Sequence, residues 1–127
     1  MITVVAALIE KDGKYLIAKR STGEQNVLGK WEFPGGKVKE NESEFNAIER
    51  EIKEEFEINV KAQRFILNNV CEYPNKTVEL RLYKCKYLDG NFKLHDHYEY
   101  KWVKKDEILN YDLALADIPL AYHIKNN

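Results

Sequence analysis

Three glutamates at helical spacing constrain this chain more than any other feature. Glu51, Glu54 and Glu55 stand at i, i+3 and i+4, so a helix there places all three side chains on one face. Like charges at this spacing destabilise a helix by roughly 0.2–0.5 kcal/mol per pair. A hard divalent cation offsets that repulsion, because Mg²⁺ and Mn²⁺ take oxygen ligands and commonly join carboxylates to substrate phosphates.

The same segment carries the other marks of an amphipathic helix. Four apolar residues recur at helical spacing and predict a face turned towards the core: Phe45, Ile48, Ile52 and Phe56. Two residues compete as its N-cap. Asn41 has Glu44 three residues later, as in a capping box, and Ser43 is the alternative.

A glycine pair precedes the helix, in the sequence Pro34-Gly35-Gly36. Two glycines allow the backbone to turn tightly and to approach a ligand or metal closely. A strand, a glycine loop and a helix bearing carboxylates together indicate a metal–phosphate site. The competing interpretation is a surface helix whose acidic face is merely solvated.

Eight spaced residues in this stretch resemble the Nudix box. That motif is a glycine, five residues, a glutamate, seven residues, and then Arg-Glu-aliphatic-x-Glu-Glu-x-Gly-aliphatic. The matching residues are Gly36, Glu42, Arg50, Glu51, Ile52, Glu54, Glu55 and Ile58. Glu57 alone departs, because it stands where the family has glycine, at the position that ends the helix. The chain is identified as a member of the Nudix hydrolase family, similar to its MutT-like and CTP pyrophosphohydrolase-like members.

The resemblance implies both a fold and a reaction. The fold is a single Nudix domain over residues 1–127, of the α+β class, in which a mixed β-sheet lies between helices as an α/β/α sandwich. The reaction is Mg²⁺-dependent hydrolysis, with Mn²⁺ possible, of a nucleoside triphosphate to the monophosphate and pyrophosphate. Such enzymes sanitise the nucleotide pool and thereby serve DNA repair, acting on 8-oxo-dGTP or on CTP, dCTP and 5-substituted dCTP.

Other functions compete with this one. Some Nudix hydrolases act on another nucleoside diphosphate derivative, such as ADP-ribose or a dinucleoside polyphosphate. A catalytically silent Nudix domain would bind a nucleotide as a sensor. A metal-free structural protein would use the glycines for turn chemistry alone, and it explains the motif least well.

The resemblance also implies roles for the residues of the motif. The metal ligands are expected to be Glu51, Glu54, Glu55, the Gly35 carbonyl and, outside the motif, Asp96. Either Glu51 or Glu54 is the general base that takes the proton from water. Arg50 orients a carboxylate, and Glu42 is its salt-bridge partner, holding the loop on the helix. For the acid outside the motif, Glu99 is the rival of Asp96, which is otherwise a solvated loop residue.

Five further residues form the expected substrate-binding set: Arg20, Phe33, Gly36, Lys76 and Asp117. Arg20 either contacts phosphate or is solvated, and Phe33 either lies near the base or packs in the core. Asp117 precedes Ile118-Pro119, so it is either the N-cap of a terminal helix or a reader of the base edge. A carboxylate accepts from an amine such as cytosine N4 and, if protonated, could also donate. The aspartate at this position favours cytosine-type or relaxed triphosphate use.

The remaining composition sets limits on partners and location. A formal net charge of −1 gives no basic patch for a nucleic acid polymer. Cys71 and Cys85 are too far apart for a zinc knuckle, and His95-Asp96-His97 offers too few ligands for structural zinc. No apolar run reaches transmembrane length and no signal peptide is recognisable. We therefore expect a cytoplasmic protein, without membrane contact, that is a monomer or homodimer.

The pattern along the chain predicts the other elements. We expect a strand over residues 2–10 buried on both faces, a hairpin at Asp12-Gly13, a return strand over 15–18 and a polar loop over 21–29. Strands follow over 59–69 and 77–87, with a second hairpin at Leu88–Asn91 and short helical segments after residue 104.

Overall fold

The sheet is organised around its first strand. The structure is a computed structural model that describes all 127 residues. Its strands are β1 (Ile2–Lys11), β2 (Lys14–Arg20), β3 (Trp31–Glu32), β4 (Gly35–Lys37), β5 (Ile58–Tyr73), β6 (Lys76–Gly90) and β7 (His97–Val103). Its α-helices are α1 (Glu44–Phe56) and α2 (Ile118–Asn126), with 3₁₀ turns at Lys105–Asn110 and Leu115–Asp117.

β1 is buried from both sides because it carries apolar residues on both faces. Val5, Ala7 and Ile9 share one core cluster with the apolar side of α1. Ala6 and Leu8 share the other core cluster with α2. β1 runs parallel to β6 and antiparallel to β2 and β4. The predicted mixed sheet between helices is therefore confirmed.

β1 and β2 leave their hairpin together and then diverge. Asp12 and Gly13 form the turn with φ of 53° and 77°, the left-handed pair that a two-residue hairpin requires. The two strands are paired only next to this turn. Farther along, β3 pairs with β2, β4 pairs with β1, and the Ala7 N–H donates to the Pro34 carbonyl at 2.7 Å. The segment 31–37 thus fills the split between β1 and β2.

α1 begins one residue after its cap. The Ser43 Oγ accepts a hydrogen bond from the Asn46 N–H at 3.1 Å, whereas Asn41 lies outside the helix with φ of 64°. Ser43 is therefore the cap, as the second alternative had it. On the apolar face, Ile48, Ile52 and Phe56 are fully buried. Phe45 is 40% exposed and lies edge-on to Tyr83. The expectation that Phe45 faces the core is wrong, because the first turn of α1 lies at the rim of the core cluster.

The second predicted hairpin, at Leu88–Asn91, is absent. β6 continues to Gly90, which pairs with Ile58 on β5, and the chain then crosses to β2, where β7 pairs along its length. The glycine has φ of 122° and a Cβ there would lie 2.7 Å from the Ile58 Cα. Gly90 therefore marks a close approach of two backbones, not a reversal of the chain.

The other predicted elements are found close to their expected bounds. β5 is irregular, with register shifts that include one between Asn59 and Val60. Residues 21–29 form a loop, and the terminal helix follows Asp117. Neither helix combines the length and the apolar character needed to cross a lipid bilayer.

Candidate active site

A cleft of about 480 Å³ opens where β1 and β2 split. Nine of the predicted site residues line it: Arg20, Phe33, Gly35, Gly36, Glu51, Glu55, Lys76, Asp96 and Asp117. Glu42, Arg50 and Glu54 do not line it. Glu99, the rival of Asp96, is an exposed residue of β7 that also lies outside the lining. The structure thus gathers residues from the two ends of the chain around the glutamate face of α1.

Gly35 and Gly36 are required by close packing rather than by a turn. Both lie in extended β4, paired with β1, so the predicted tight turn is wrong at this point. A Cβ on Gly35 would lie 1.9 Å from the Val5 carbonyl oxygen, and a Cβ on Gly36 would lie 2.3 Å from the Glu51 carboxylate carbon. The missing side chains allow β4 to lie against β1 and allow Glu51 to lie against β4.

Arg50 fixes the loop before α1 and two of the glutamates. Its guanidinium donates to both carboxylate oxygens of Glu42, at 2.6 and 2.9 Å, and to the Lys37 carbonyl at 3.1 Å. It also donates to Glu51 Oε1 at 2.9 Å and Glu54 Oε2 at 3.2 Å. The hydrogen bonds from Arg50 hold the pKa of Glu42 at about 2. The expected ion pair is present, in the bidentate geometry that only arginine provides.

Glu55 is the most unusual carboxylate of the cleft. It is 5% exposed, its Oε1 lies 3.5 Å from Arg20 Nη1, and its Oε2 is buried without a hydrogen-bond partner. Burial raises the pKa of Glu55 to about 9, and the negative charge of Glu32 adds to the effect while Arg20 opposes it. A buried carboxylate oxygen without a donor is costly, so this side chain is suited to a cationic partner.

The carboxylates fit a divalent cation, but they are not yet arranged around one. No three acidic, histidine or cysteine side chains are gathered closely enough to hold an ion. Glu54 in particular is 55% exposed and turned to Arg50. The Glu55 Oε2, which has no hydrogen-bond partner, and the Glu51 carboxylate, which packs against Gly36, are oxygen ligands of the kind that Mg²⁺ prefers. Of the three glutamates, Glu54 alone lies outside the cleft lining.

The far end of the cleft holds a second buried acid, Asp117. It occupies the N-cap position of α2, as one interpretation expected, but its side chain makes no capping hydrogen bond. Its Oδ2 instead accepts from the Phe33 N–H at 3.1 Å. Burial, followed by the charge of Glu32, raises the pKa of Asp117 well above its usual range. Phe33 is 3% exposed and belongs to the core cluster under α2 while also lining the cleft. Its core packing is confirmed, and its position near the base stays a prediction.

Glu32 is the residue that sequence reasoning missed. Its Oε2 accepts from Arg20 Nη1 at 3.1 Å and lies 2.9 Å from His97 Nε2. Arg20 is therefore paired inside the cleft, and its solvated interpretation is wrong. His97 is buried and stacked on Phe56 at 4.8 Å between ring centroids. The available signal was a lone acid between two apolar residues, Trp31 and Phe33, directly before the glycine pair.

The opposite wall is formed by the loop 21–29 and the β5–β6 hairpin. Lys76, in the hairpin, donates to Glu24 Oε1, in the loop, at 2.5 Å. This contact joins the loop to the hairpin within that wall. Lys30 and Asp112 form an ion pair of 2.9 Å at the other end of the loop. The expected polar loop therefore lies over the cleft, and Lys76 meets a carboxylate of the protein there.

Comparison with known proteins agrees with this geometry. The NUDIX domain family matches residues 1–123. A CTP pyrophosphohydrolase of Escherichia coli K12 is 38% identical over 120 residues, which cover 94% of this chain and 88% of that protein. An 8-oxo-dGTP diphosphatase of Buchnera aphidicola is 33% identical, with 83% and 78% covered. The crystal structure of a MutT protein from Methanosarcina mazei Go1 matches with a TM-score of 0.87 at 30% identity, covering 98% of this chain and 93% of that one.

Proposed function

From the premise that the chain belongs to the NUDIX family, whose members of this kind hydrolyse phosphoric anhydrides, we propose that it hydrolyses a nucleoside triphosphate to the monophosphate and pyrophosphate. One observation carries the proposal. A single cleft has the glutamate face of α1 at one end and the buried Asp117 side chain, bonded to the Phe33 N–H, at the other. The first end suits a metal–triphosphate group and the second suits a base, because a largely apolar pocket with few polar groups is typical of ligand sites.

Each residue of the motif would have a role at the metal end of the cleft. Glu51, Glu55 and, after rotation, Glu54 would hold the cation, with the Gly35 carbonyl and Asp96 beside them. Mg²⁺, or Mn²⁺ in its place, would neutralise phosphate charge and make water a better nucleophile. Glu51 or Glu54 takes the proton from that water. Arg50 keeps both glutamates oriented, and Arg20 keeps Glu55 in the cleft.

The base end offers Asp117 as a hydrogen-bonding group. Its Oδ2 accepts the Phe33 N–H, and burial raises its pKa, which favours the protonated form. A protonated carboxyl donates as well as accepts, so it suits a ring nitrogen or carbonyl of a base, whereas a carboxylate suits an amine such as cytosine N4. The role of Asp117 as a reader of the base edge stays a prediction in either form.

We propose CTP, dCTP and 5-substituted dCTP as the first substrates to consider. The similarity to a CTP pyrophosphohydrolase over nearly the full chain supports this choice. The second candidate is 8-oxo-dGTP, because an 8-oxo-dGTP diphosphatase is also similar over most of its length. Either substrate would make the protein a pool-sanitising enzyme, and this supports our proposal that it acts in the cytoplasm, where the nucleotide pool is.

The test is pyrophosphate release from a nucleotide panel with Mg²⁺, including dCTP, 5-methyl-dCTP, 8-oxo-dGTP and ADP-ribose. We expect pyrophosphate from one triphosphate well above the others, and we expect Asp117→Asn to change the ranking among bases more than the overall rate. Turnover of ADP-ribose alone would contradict the substrate class. Nucleotide binding without turnover of any compound would favour a sensor domain over an enzyme.

A further inference from the structure

Glu57 has a backbone conformation that favours glycine. It ends α1 with φ of 56° and ψ of 33°, in the left-handed region where a side chain is unfavourable. Glycine is the usual residue at such a helix end. A glutamate in this conformation has a side chain that can make contacts glycine cannot make.

The contribution is a contact to the segment 93–97, the residues that lead into β7. Glu57 Oε2 lies 2.6 Å from His95 Nε2. The same segment caps the end of α1 through its backbone, because the Lys93 N–H donates to the Phe56 carbonyl at 3.0 Å and the His95 N–H donates to the Glu55 carbonyl at 3.2 Å. These bonds satisfy carbonyls that a helix end leaves open.

The ion pair adds little to stability by itself. Its two side chains are 46% and 45% exposed, and half-exposed ion pairs contribute little to folding. A left-handed backbone costs a non-glycine residue more than such a pair returns. The contact therefore sets a position more than it stabilises the fold.

The position concerned is that of the cleft residues in the segment 93–97. Asp96 lines the cleft, and its carbonyl accepts from the Ser21 N–H at 2.9 Å. The next residue, His97, reaches Glu32 at 2.9 Å. A shift of this segment relative to α1 would move Asp96, and His97 with it, away from the glutamate face.

We propose that Glu57 is a positioning residue that, by holding His95, fixes the segment 93–97 to the end of α1 and so keeps Asp96 in the cleft opposite the glutamates. The functional half of this inference rests on the proposed function. The structural half is independent of it, since the contact is between two side chains of the chain itself.

The first measurement is amide hydrogen exchange of the metal-free protein, for wild type and for Glu57→Gly. We expect the Lys93, His95 and Ser21 amides to exchange at least about tenfold faster in the variant, because they report local opening of this segment. The Ala7 amide, bonded to Pro34, is the internal reference and should not change. The thermal midpoint should equal or exceed that of wild type, because glycine relieves the left-handed strain.

The second measurement is turnover against Mg²⁺ concentration. Glu57→Gly should raise the Mg²⁺ needed for half-maximal turnover by about tenfold, as loss of a supporting contact around a metal site does. His95→Ala should have the same effect, and the double variant should be no worse than either single one. Glu57→Gln keeps an acceptor for His95 and should restore most of the wild-type behaviour.

Asp12→Gly is the matched control. Asp12 is also an acidic residue with a left-handed backbone conformation, with φ of 53°, but it lies in the β1–β2 turn and does not line the cleft. It should alter neither the exchange of the segment 93–97 nor the Mg²⁺ requirement. Unchanged exchange in Glu57→Gly would overturn the inference outright. Faster exchange with a wild-type Mg²⁺ requirement would overturn the positioning role. A wild-type protein without turnover would instead refute the proposed function, and the exchange arm would still decide whether Glu57 holds the segment.

Discussion

Replacing Glu55 by glutamine should stabilise the metal-free protein while it removes activity. The pKa of Glu55 is raised from an ordinary 4.5 to about 9 by burial. The unfolded chain releases this proton near pH 4.5, whereas the folded protein holds it to about pH 9. The folded state therefore binds more protons in this range, and stability falls as the pH rises.

The size of the effect follows from the width of that range. Each pH unit between the two pKa values costs up to about 1.4 kcal/mol. At pH 7.5 the ceiling is therefore about 4 kcal/mol, a large fraction of the stability of a domain of this size. Glutamine has nearly the same shape and no proton to release, so the variant escapes this cost.

The assay is urea unfolding in the presence of a chelator at several values between pH 5.5 and 8.5. The stability of Glu55→Gln minus that of wild type should grow steadily with pH. Glu54→Gln is the matched control, because that carboxylate is 55% exposed and water already solvates its charge. A difference that stays constant across the range, or one equally large for Glu54→Gln, would refute the reasoning from burial. With Mg²⁺ present, Glu55→Gln should lose more than about 100-fold in turnover, since even supporting contacts at metal sites cost 10–100-fold.

Three further substitutions test the architecture of the cleft. Gly36→Ala places a methyl group against the Glu51 carboxylate, 2.3 Å from its carbon, and should cost about 100-fold in kcat by displacing it; a normal rate would mean that Glu51 adapts freely. Arg50→Lys cannot form the bidentate pair with Glu42, so kcat should fall by about tenfold or more and the thermal midpoint should drop, both measured against wild type. Glu54→Gln should remove most turnover with an unchanged circular dichroism spectrum and thermal midpoint, and near-normal activity would exclude Glu54 as a metal ligand.

The sequence predicted best where the determining interactions are local. The glutamate face and apolar stripe of α1 depend on residues three and four apart, and the hairpin at Asp12-Gly13 depends on two adjacent residues. The hairpin is found as expected. The apolar stripe is found except for Phe45, which is 40% exposed, and of the three glutamates only Glu51 and Glu55 line the cleft. The resemblance to the Nudix family extended this reach to Asp96 and Asp117, which lie far from the motif yet line the same cleft.

Prediction failed where a distant partner decides a local feature. Asp117 has the sequence context of an N-cap, but its carboxylate is engaged by Phe33, 84 residues away. Gly90 has the context of a hairpin turn, but the Ile58 backbone lies so close that a Cβ on Gly90 would be 2.7 Å from the Ile58 Cα. The pairing of Arg20 with Glu32 and Glu55 depends on three elements meeting at the split in the sheet, which no local pattern encodes.

The parallel pairing of β1 with β6 has a consequence for folding during synthesis. β1 leaves the ribosome well before β6, yet the residue opposite Ile2 is Val78. Until β6 has emerged, a strand with apolar residues on both faces has an open edge that could pair with another chain. The earlier hairpin and β4 protect only its other edge. We therefore expect the synthesis of residues 12–90 to be the interval in which this edge of β1 is most open to pairing with another chain.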